Sequence, residues 1–140
     1  MSNLNSRSNT NLVGVHPKFV SVVNRAAEIC DVEFTVIEGV RTKERQAKLY
    51  AQGRTEAGQI VTWTLNSNHF VNPKTGYGHA VDILPATGWN DLNGFNAVAE
   101  SMFIAANELG VKIRWGADWD KDGKYREKGE NDSPHFEIEI

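Results

Sequence analysis

The segment from Asp91 to Gly110 carries the clearest helical pattern in the chain. Its apolar residues recur every three or four positions: Leu92, Phe95, Val98, Ala99, Met102, Phe103, Ala106 and Leu109. Asp91 is a residue type that caps helix N-termini, and Gly110 is one that ends helices. An amphipathic helix of this length must bury its apolar face against a second layer, so the rest of the chain has to supply that layer.

The other segments predict short strands and two further helices. Pro17–Ile29 is predicted as a helix that begins at a proline, and Thr42–Gly53 as a helix with a threonine cap. Strands are predicted at residues 33–39, 59–64, 79–84, 111–115 and 134–140. Residues 1–12 are rich in Ser and Asn and are expected to be mobile. We therefore expect an α+β fold: one domain over residues 1–140, with a small, mostly antiparallel sheet flanked by helices and no separate wall-binding domain.

The composition excludes some classes of protein. A net charge of −3 and a pI near 5.8 give no general electrostatic attraction to nucleic acid or to an anionic membrane. No apolar run approaches the roughly 20 residues of a membrane-spanning helix. The single cysteine, Cys30, has no partner for an internal disulfide and is expected to be a small buried hydrophobe. The polar N-terminus lacks a signal-peptide pattern, so we expect synthesis in a cytoplasm.

Histidine and aspartate residues near the predicted strands suggest a metal site. Catalytic zinc takes three protein ligands from His, Asp or Glu and keeps one position open for water. In a strand at 79–84, His79 and Asp82 point to opposite faces, so they should not bind the same ion. A loop carrying His69 could fold back to Asp82, and in the last strand His135 and Glu137 share one face. His69, Asp82 and His135 are therefore a candidate set, and ordinary structural histidines are the alternative.

Four motifs in this order resemble a known peptidase family. Ser67 and His69 are followed by "GHAVD" at 78–82 and then by "DSPH" at 132–135; "GVRT" at 39–42 precedes them. This pattern is similar to that of the zinc peptidases related to D-Ala-D-Ala carboxypeptidases, in particular the L-alanyl-D-glutamate endopeptidases that phages use as endolysins. The resemblance runs from about residue 38 to the end. It implies the fold of D-Ala-D-Ala peptidases and Hedgehog-like domains.

The resemblance also implies roles for individual residues. It implies zinc bound by His69, Asp82 and His135, with Asp132 as the general base. It implies that Arg41 binds substrate and stabilises negative charge in the transition state; without it, Arg41 would be read as a surface arginine before a helix. The longer gap between His69 and Gly78 keeps His79 as a competing ligand. Ser67, His79 and Glu137 are expected to lie around the site without binding the ion, and His16 to be unrelated to it.

A second ion is suggested by "DWDKDG" at 118–123. Asp118, Asp120 and Asp122 have the alternate spacing of oxygen ligands at the start of a calcium loop, with a glycine at the turn. Position twelve of this loop is Gly129 and not a glutamate, so the match is incomplete. A solvated acidic loop is the alternative. Because the loop leads to Asp132 and His135, calcium is expected to order the catalytic residues if it binds.

The resemblance implies a zinc-dependent peptidoglycan endopeptidase that cleaves the L-Ala–D-Glu bond as a phage lysis enzyme. The expected substrate is the stem peptide, and a holin-type protein is the expected functional partner that opens the route from the host cytoplasm to the wall. We expect a monomer without stable membrane association. The alternatives are a D,D-carboxypeptidase or D-Ala-D-Ala dipeptidase, and a non-catalytic metal-dependent wall-binding module.

Overall fold

The computed structural model describes residues 4–40, 47, 51, 69–118 and 132–139. Its helices are α1 (Ser6–Asn11), α2 (Pro17–Ile29) and α3 (Leu92–Leu109). Its strands are β1 (Phe34–Glu38), β2 (Val71–Asn72), β3 (Tyr77–Gly78), β4 (Ala80–Pro85), β5 (Lys112–Trp115) and β6 (His135–Glu139). Ala47 and Ala51 are also helical.

The main sheet has four strands in the order β1-β4-β6-β5, and every neighbouring pair is antiparallel. Strands β2 and β3 form a separate two-stranded hairpin between β1 and β4 in the chain. The prediction of a small antiparallel sheet with helices is confirmed. The strands predicted at 33–39, 79–84, 111–115 and 134–140 match β1, β4, β5 and β6 to within one or two residues.

The two faces of the main sheet have different environments. Side chains alternate along a strand, and one face of β4 and β6 carries Val81, Ile83, Phe136 and Ile138, all buried. These residues belong to a single apolar core that also includes the inner faces of α2 and α3. The Asp91 side chain accepts a hydrogen bond from the Gly94 backbone N–H and Gly110 ends α3 in the left-handed conformation, so both predicted ends of this helix are confirmed.

Residues 6–11, within the segment expected to be mobile, form helix α1. The Asn5 side chain caps this helix, and the buried Ser8 Oγ accepts a hydrogen bond from the Val36 backbone N–H at 2.9 Å. The Asn11 side-chain amide donates to the Val36 carbonyl oxygen at 2.7 Å. Strand β1 is an edge strand, so its outer backbone groups need partners. The polar side chains of α1 supply them, which a search for apolar anchors could not detect.

Several predictions concern residues outside the described ranges. These are Arg41, the helix at 42–53 apart from Ala47 and Ala51, the strand at 59–64, Ser67, Asp120 and Asp122. In the described part of the chain, Cys30 is a free and partly buried thiol packed against the core. No helix within the described ranges is both long and apolar enough to cross a membrane.

Candidate metal centre

Asp82 and His135 are brought together by the register of β4 and β6. The two residues are direct partners across this antiparallel pair, so their side chains leave the sheet on the same face. The Nδ1 atom of His135 lies 3.1 Å from Oδ1 of Asp82. This face is opposite to the one that carries Val81 and Phe136, so the apolar core on one side of the sheet fixes the polar pair on the other.

His69 comes to the same carboxylate from the segment just before the hairpin. Its side chain is almost completely buried, with 1% of the residue exposed, and its Nε2 atom lies 3.4 Å from Oδ1 of Asp82. Its Nδ1 atom lies 2.7 Å from the backbone carbonyl oxygen of Gly39, directly after β1. A carbonyl oxygen can only accept, so Nδ1 must carry the proton and Nε2 of a neutral His69 has a lone pair directed at Asp82.

In His135 the hydrogen bonds leave Nδ1 facing Asp82, whereas in His69 the nitrogen that faces Asp82 is Nε2. Its Nε2 atom lies 2.8 Å from Oε1 of Glu137, a carboxylate that accepts the Nε2 proton. In a neutral His135, the Nδ1 lone pair would therefore face Asp82. The three donor atoms are His69 Nε2, Asp82 Oδ1 and His135 Nδ1. In the described part of the chain, these three residues form the candidate metal cluster, with ligand atoms within 4.8 Å of one another.

The donor set fits a metal ion of the zinc type. Two imidazoles and one carboxylate are ligands of catalytic zinc sites, and each histidine here has its second nitrogen held by a carbonyl or carboxylate oxygen, which is the usual outer support of a metal-binding histidine. Three protein ligands would leave a position for water. The structure thus brings together His69, Asp82 and His135, the set expected from the sequence.

The electrostatics of the metal-free cluster follow from its burial. Burial opposes ionisation of Asp82, but its contacts with His135 and His69 outweigh the effect of burial and hold the pKa of Asp82 well below its ordinary value. Burial likewise opposes protonation of His135, but hydrogen bonds to Asp82 and Glu137 raise the pKa of His135 to about 9. A cation is therefore favoured between these carboxylates, and a metal ion would replace the proton on Nδ1 of His135.

Asp132 lies at the open side of the cluster. Its side chain is 54% exposed, and its Oδ2 atom lies 3.9 Å from Nδ1 of His135. The backbone turn that presents it is closed by a hydrogen bond from the His135 N–H to the Asp132 carbonyl oxygen at 3.1 Å. The Trp115 indole N–H donates to the Ser133 carbonyl oxygen at 2.6 Å, which ties the same turn to the core.

His79 lies in a different group of side chains. Its Nε2 atom lies 2.8 Å from the Thr75 hydroxyl, and its ring packs edge-on against His16. His16 uses Nδ1 to accept a hydrogen bond from the Lys18 backbone N–H at the start of α2. Burial, and the nearby His16, lower the pKa of His79. The structure therefore places the competing ligand candidate beside the hairpin and not in the His69–Asp82–His135 cluster.

Two supporting groups were not predicted from the sequence. One is the Gly39 carbonyl, which selects the His69 nitrogen. The other is Arg114, whose Nη2 atom lies 3.3 Å from Oε2 of Glu137. A backbone carbonyl leaves no signal in a sequence, and the Arg114–Glu137 contact depends on the pairing register of β5 and β6.

Comparison with known proteins identifies the family. The family model for phage L-alanyl-D-glutamate peptidase matches residues 1–139. The chain belongs to this family. The resemblance drawn from the motifs is confirmed, and with it the prediction of a peptidase of this class.

Individual members of the wider group are similar along most of the chain. The L-alanyl-D-glutamate peptidase of Escherichia phage T5 is 33% identical over 138 residues, covering 94% of this chain and 93% of the relative. The peptidoglycan L-alanyl-D-glutamate endopeptidase CwlK of Bacillus subtilis is 28% identical over 76% of this chain and 61% of its own length. The crystal structure of the Serratia marcescens L-Ala D-Glu endopeptidase ChiX superposes with a TM-score of 0.73 at 30% identity, covering 96% of this chain and 87% of ChiX.

Proposed function

We propose that this phage L-alanyl-D-glutamate peptidase family member is a zinc-dependent endolysin that cleaves the L-Ala–D-Glu bond of the peptidoglycan stem peptide. The observation that carries the proposal is the buried cluster in which hydrogen bonds direct His69 Nε2 and His135 Nδ1 at Asp82 Oδ1. Relatives whose names state this bond specificity cover nearly the whole chain.

His69, Asp82 and His135 would hold the zinc ion. When bound, zinc would acidify its water and polarise the scissile carbonyl, which is the chemistry that amide hydrolysis requires near neutral pH. Burial of His69 and His135 keeps bulk water from competing for the ligand atoms. Gly39 and Glu137 would keep each imidazole in the tautomer that presents its lone pair to the ion.

Asp132 would act as the general base and acid. Its carboxylate is exposed, lies beside the cluster and belongs to a turn fixed at both ends, so it can take the proton of the attacking water and return it to the leaving amine. Arg41 would bind the substrate and stabilise the negative charge that develops on the carbonyl oxygen. Its role is carried over from the motif at 39–42.

Calcium would make the rate of hydrolysis depend on a second ion. Asp118, at the start of the acidic loop, is largely buried, and its backbone N–H donates to the Trp115 carbonyl oxygen at 3.0 Å. Calcium bound by Asp118, Asp120 and Asp122 would therefore act next to the strand whose end holds the Asp132 turn. Selective removal of calcium from the zinc-loaded protein would then lower the rate of hydrolysis.

In a cell, the enzyme would act as a monomer on the wall of the phage host. It would accumulate in the host cytoplasm and reach the periplasm once a holin-type protein permeabilises the membrane, after which peptidoglycan degradation lyses the cell. The same activity, applied from outside to a permeabilised wall, would be antimicrobial.

The experiment that tests the proposal combines metal removal with one substitution. Chelation should abolish hydrolysis of purified peptidoglycan, and one equivalent of zinc should restore it. Asp132→Asn should still bind zinc but lose activity by about 10²–10⁴-fold, since it lacks the proton acceptor. Full activity of either the metal-free protein or Asp132→Asn would refute the proposed mechanism.

A further inference from the structure

Arg114 and Glu137 are direct partners across the β5–β6 pair, on the face of the sheet that carries the metal cluster. Each oxygen of the Glu137 carboxylate has a different partner. Oε2 lies 3.3 Å from Nη2 of Arg114, and Oε1 lies 2.8 Å from Nε2 of His135. The three side chains thus form a continuous chain of contacts from β5 to the candidate ligand.

We propose that Arg114 is a positioning residue for the metal ligand His135 and acts through the Glu137 carboxylate. This inference rests on the proposed function, because it assumes that His135 binds the ion through Nδ1. The orientation of the ligand His135 is then set from β5, a strand that contributes no ligand itself.

The Glu137 side chain needs two contacts to hold its carboxylate in one orientation. A glutamate has three side-chain torsions, so one hydrogen bond to His135 does not fix the plane of its carboxylate. The second contact, from a guanidinium anchored on the neighbouring strand, removes the remaining rotation. Without it, the carboxylate can turn away and the His135 ring can rotate about χ2, which exchanges the places of Nδ1 and Nε2.

The burial of the three side chains indicates which property should change when the Arg114–Glu137 contact is lost. The Arg114 side chain is 40% exposed, so its ion pair with Glu137 should contribute little to global stability. The Glu137 side chain is only 14% exposed and that of His135 only 11%. Water therefore has little access to these two groups and cannot readily take the place of Arg114 as a hydrogen-bond partner. The effect of losing Arg114 should therefore appear at the metal site more than in the stability of the fold.

The same two strands supply a matched control. Lys112 lies two residues before Arg114 on the same face of β5, is exposed, and pairs in register with Glu139 and not with Glu137. Lys112→Met removes one positive charge from the same strand and face without touching the His135 support. Arg114→Met makes the equivalent change two residues closer to the site.

The test measures zinc affinity and the state of the His135 ring, not activity. The zinc dissociation constant is measured by competition with a chromophoric chelator for wild type, Arg114→Met, Lys112→Met, Glu137→Leu and the double variant Arg114→Met/Glu137→Leu. Nitrogen-15 NMR of the zinc-loaded proteins reports the proton on His135 Nε2. Circular dichroism checks that each metal-free variant is folded, and Arg114→Gln replaces Arg114→Met if the latter does not fold.

The expected result is a weakening by about tenfold for Arg114→Met, at the lower end of the range for groups that support a metal ligand. Lys112→Met should stay within about twofold, and the double variant should match Glu137→Leu alone, because Arg114 acts only through Glu137. The Nε2 proton of His135 should exchange slowly in wild type and Lys112→Met but rapidly in Arg114→Met.

Equal affinities for Arg114→Met and Lys112→Met would overturn the inference, and so would full additivity in the double variant. If wild type binds zinc normally but the variants do not show the expected affinities, only the proposed role of Arg114 is wrong. If wild type itself does not bind zinc, the proposed function and the proposed role of Arg114 are both wrong.

Discussion

Asp82 and His135 face each other directly across the β4–β6 pair, with Oδ1 and Nδ1 3.1 Å apart. Because strand register fixes this relationship, two of the three candidate ligands are held by the sheet itself. Only His69 arrives from outside the sheet, and it is held by the Gly39 carbonyl at the end of β1.

Gly39→Ala should weaken metal binding by moving the carbonyl that orients His69. A Cβ at this position would lie 1.8 Å from the Asn11 carbonyl oxygen, so the backbone around Gly39 or the end of α1 must shift. We expect zinc affinity to fall by about tenfold or more, as when the hydrogen-bond partner of a ligating histidine is lost. We also expect unfolding to become easier by about 2 kcal/mol or more.

The control for this variant is Gly94→Ala in α3. There an added Cβ meets the side-chain oxygens of Asp91 and Thr87 at 2.8 Å, far along the chain from any candidate ligand. Gly94→Ala displaces these two flexible side chains and should leave the zinc dissociation constant unchanged. An unchanged constant in Gly39→Ala as well would show that the Gly39 carbonyl does not orient His69.

Trp115→Phe should disturb the position of the proposed base, Asp132, without weakening metal binding. The substitution keeps an aromatic ring to stack on Phe136 but removes the indole N–H that binds the Ser133 carbonyl oxygen. Loss of this buried hydrogen bond should cost about 1–3 kcal/mol of stability. The Asp132 turn should loosen, so kcat should fall several-fold while zinc affinity stays close to that of wild type. A parallel loss of zinc affinity and kcat would contradict this assignment.

Zinc affinity should depend on pH through His135. Asp82 and Glu137 raise the pKa of His135 to about 9 in the metal-free protein, so the metal must displace a proton at neutral pH. Between pH 6 and 8 the apparent affinity should therefore rise by about tenfold per pH unit, with the gain ending near pH 9. Calorimetry in two buffers of different ionisation enthalpy should detect release of a proton on binding. A constant affinity over this range would contradict the structure of the cluster.

The sequence predicts the parts of this site that follow from strand periodicity. Alternation along β4 and β6 separates His79 from Asp82 and puts His135 and Glu137 on one face, and these placements agree with the structure. The antiparallel register that makes Asp82 the partner of His135 is not encoded in either segment alone. For the same reason, Arg114 could not be linked to Glu137, and the tautomers of the two histidines could not be assigned.

The helix near the N-terminus could not be predicted, for a related reason. Helix α1 is held by Ser8 and Asn11, which bind the backbone of the edge strand β1 more than 20 residues later. Periodicity detects faces that pack on apolar cores, whereas these contacts are polar and non-local. Asn11 also lies against Gly39, so a segment expected to be mobile buttresses the group that orients His69.

Digestion of purified Gram-negative peptidoglycan, with the products identified by mass, tests both the proposed bond specificity and the proposed ligands. Zinc-loaded wild type and His79→Ala should release peptides with a new N-terminal D-Glu and leave L-Ala on the glycan, whereas His69→Ala should release none. Free D-Ala or D-Ala-D-Ala as the product would instead indicate the carboxypeptidase or dipeptidase reaction. No cleavage by the zinc- and calcium-loaded wild type would contradict the account and favour a wall-binding module.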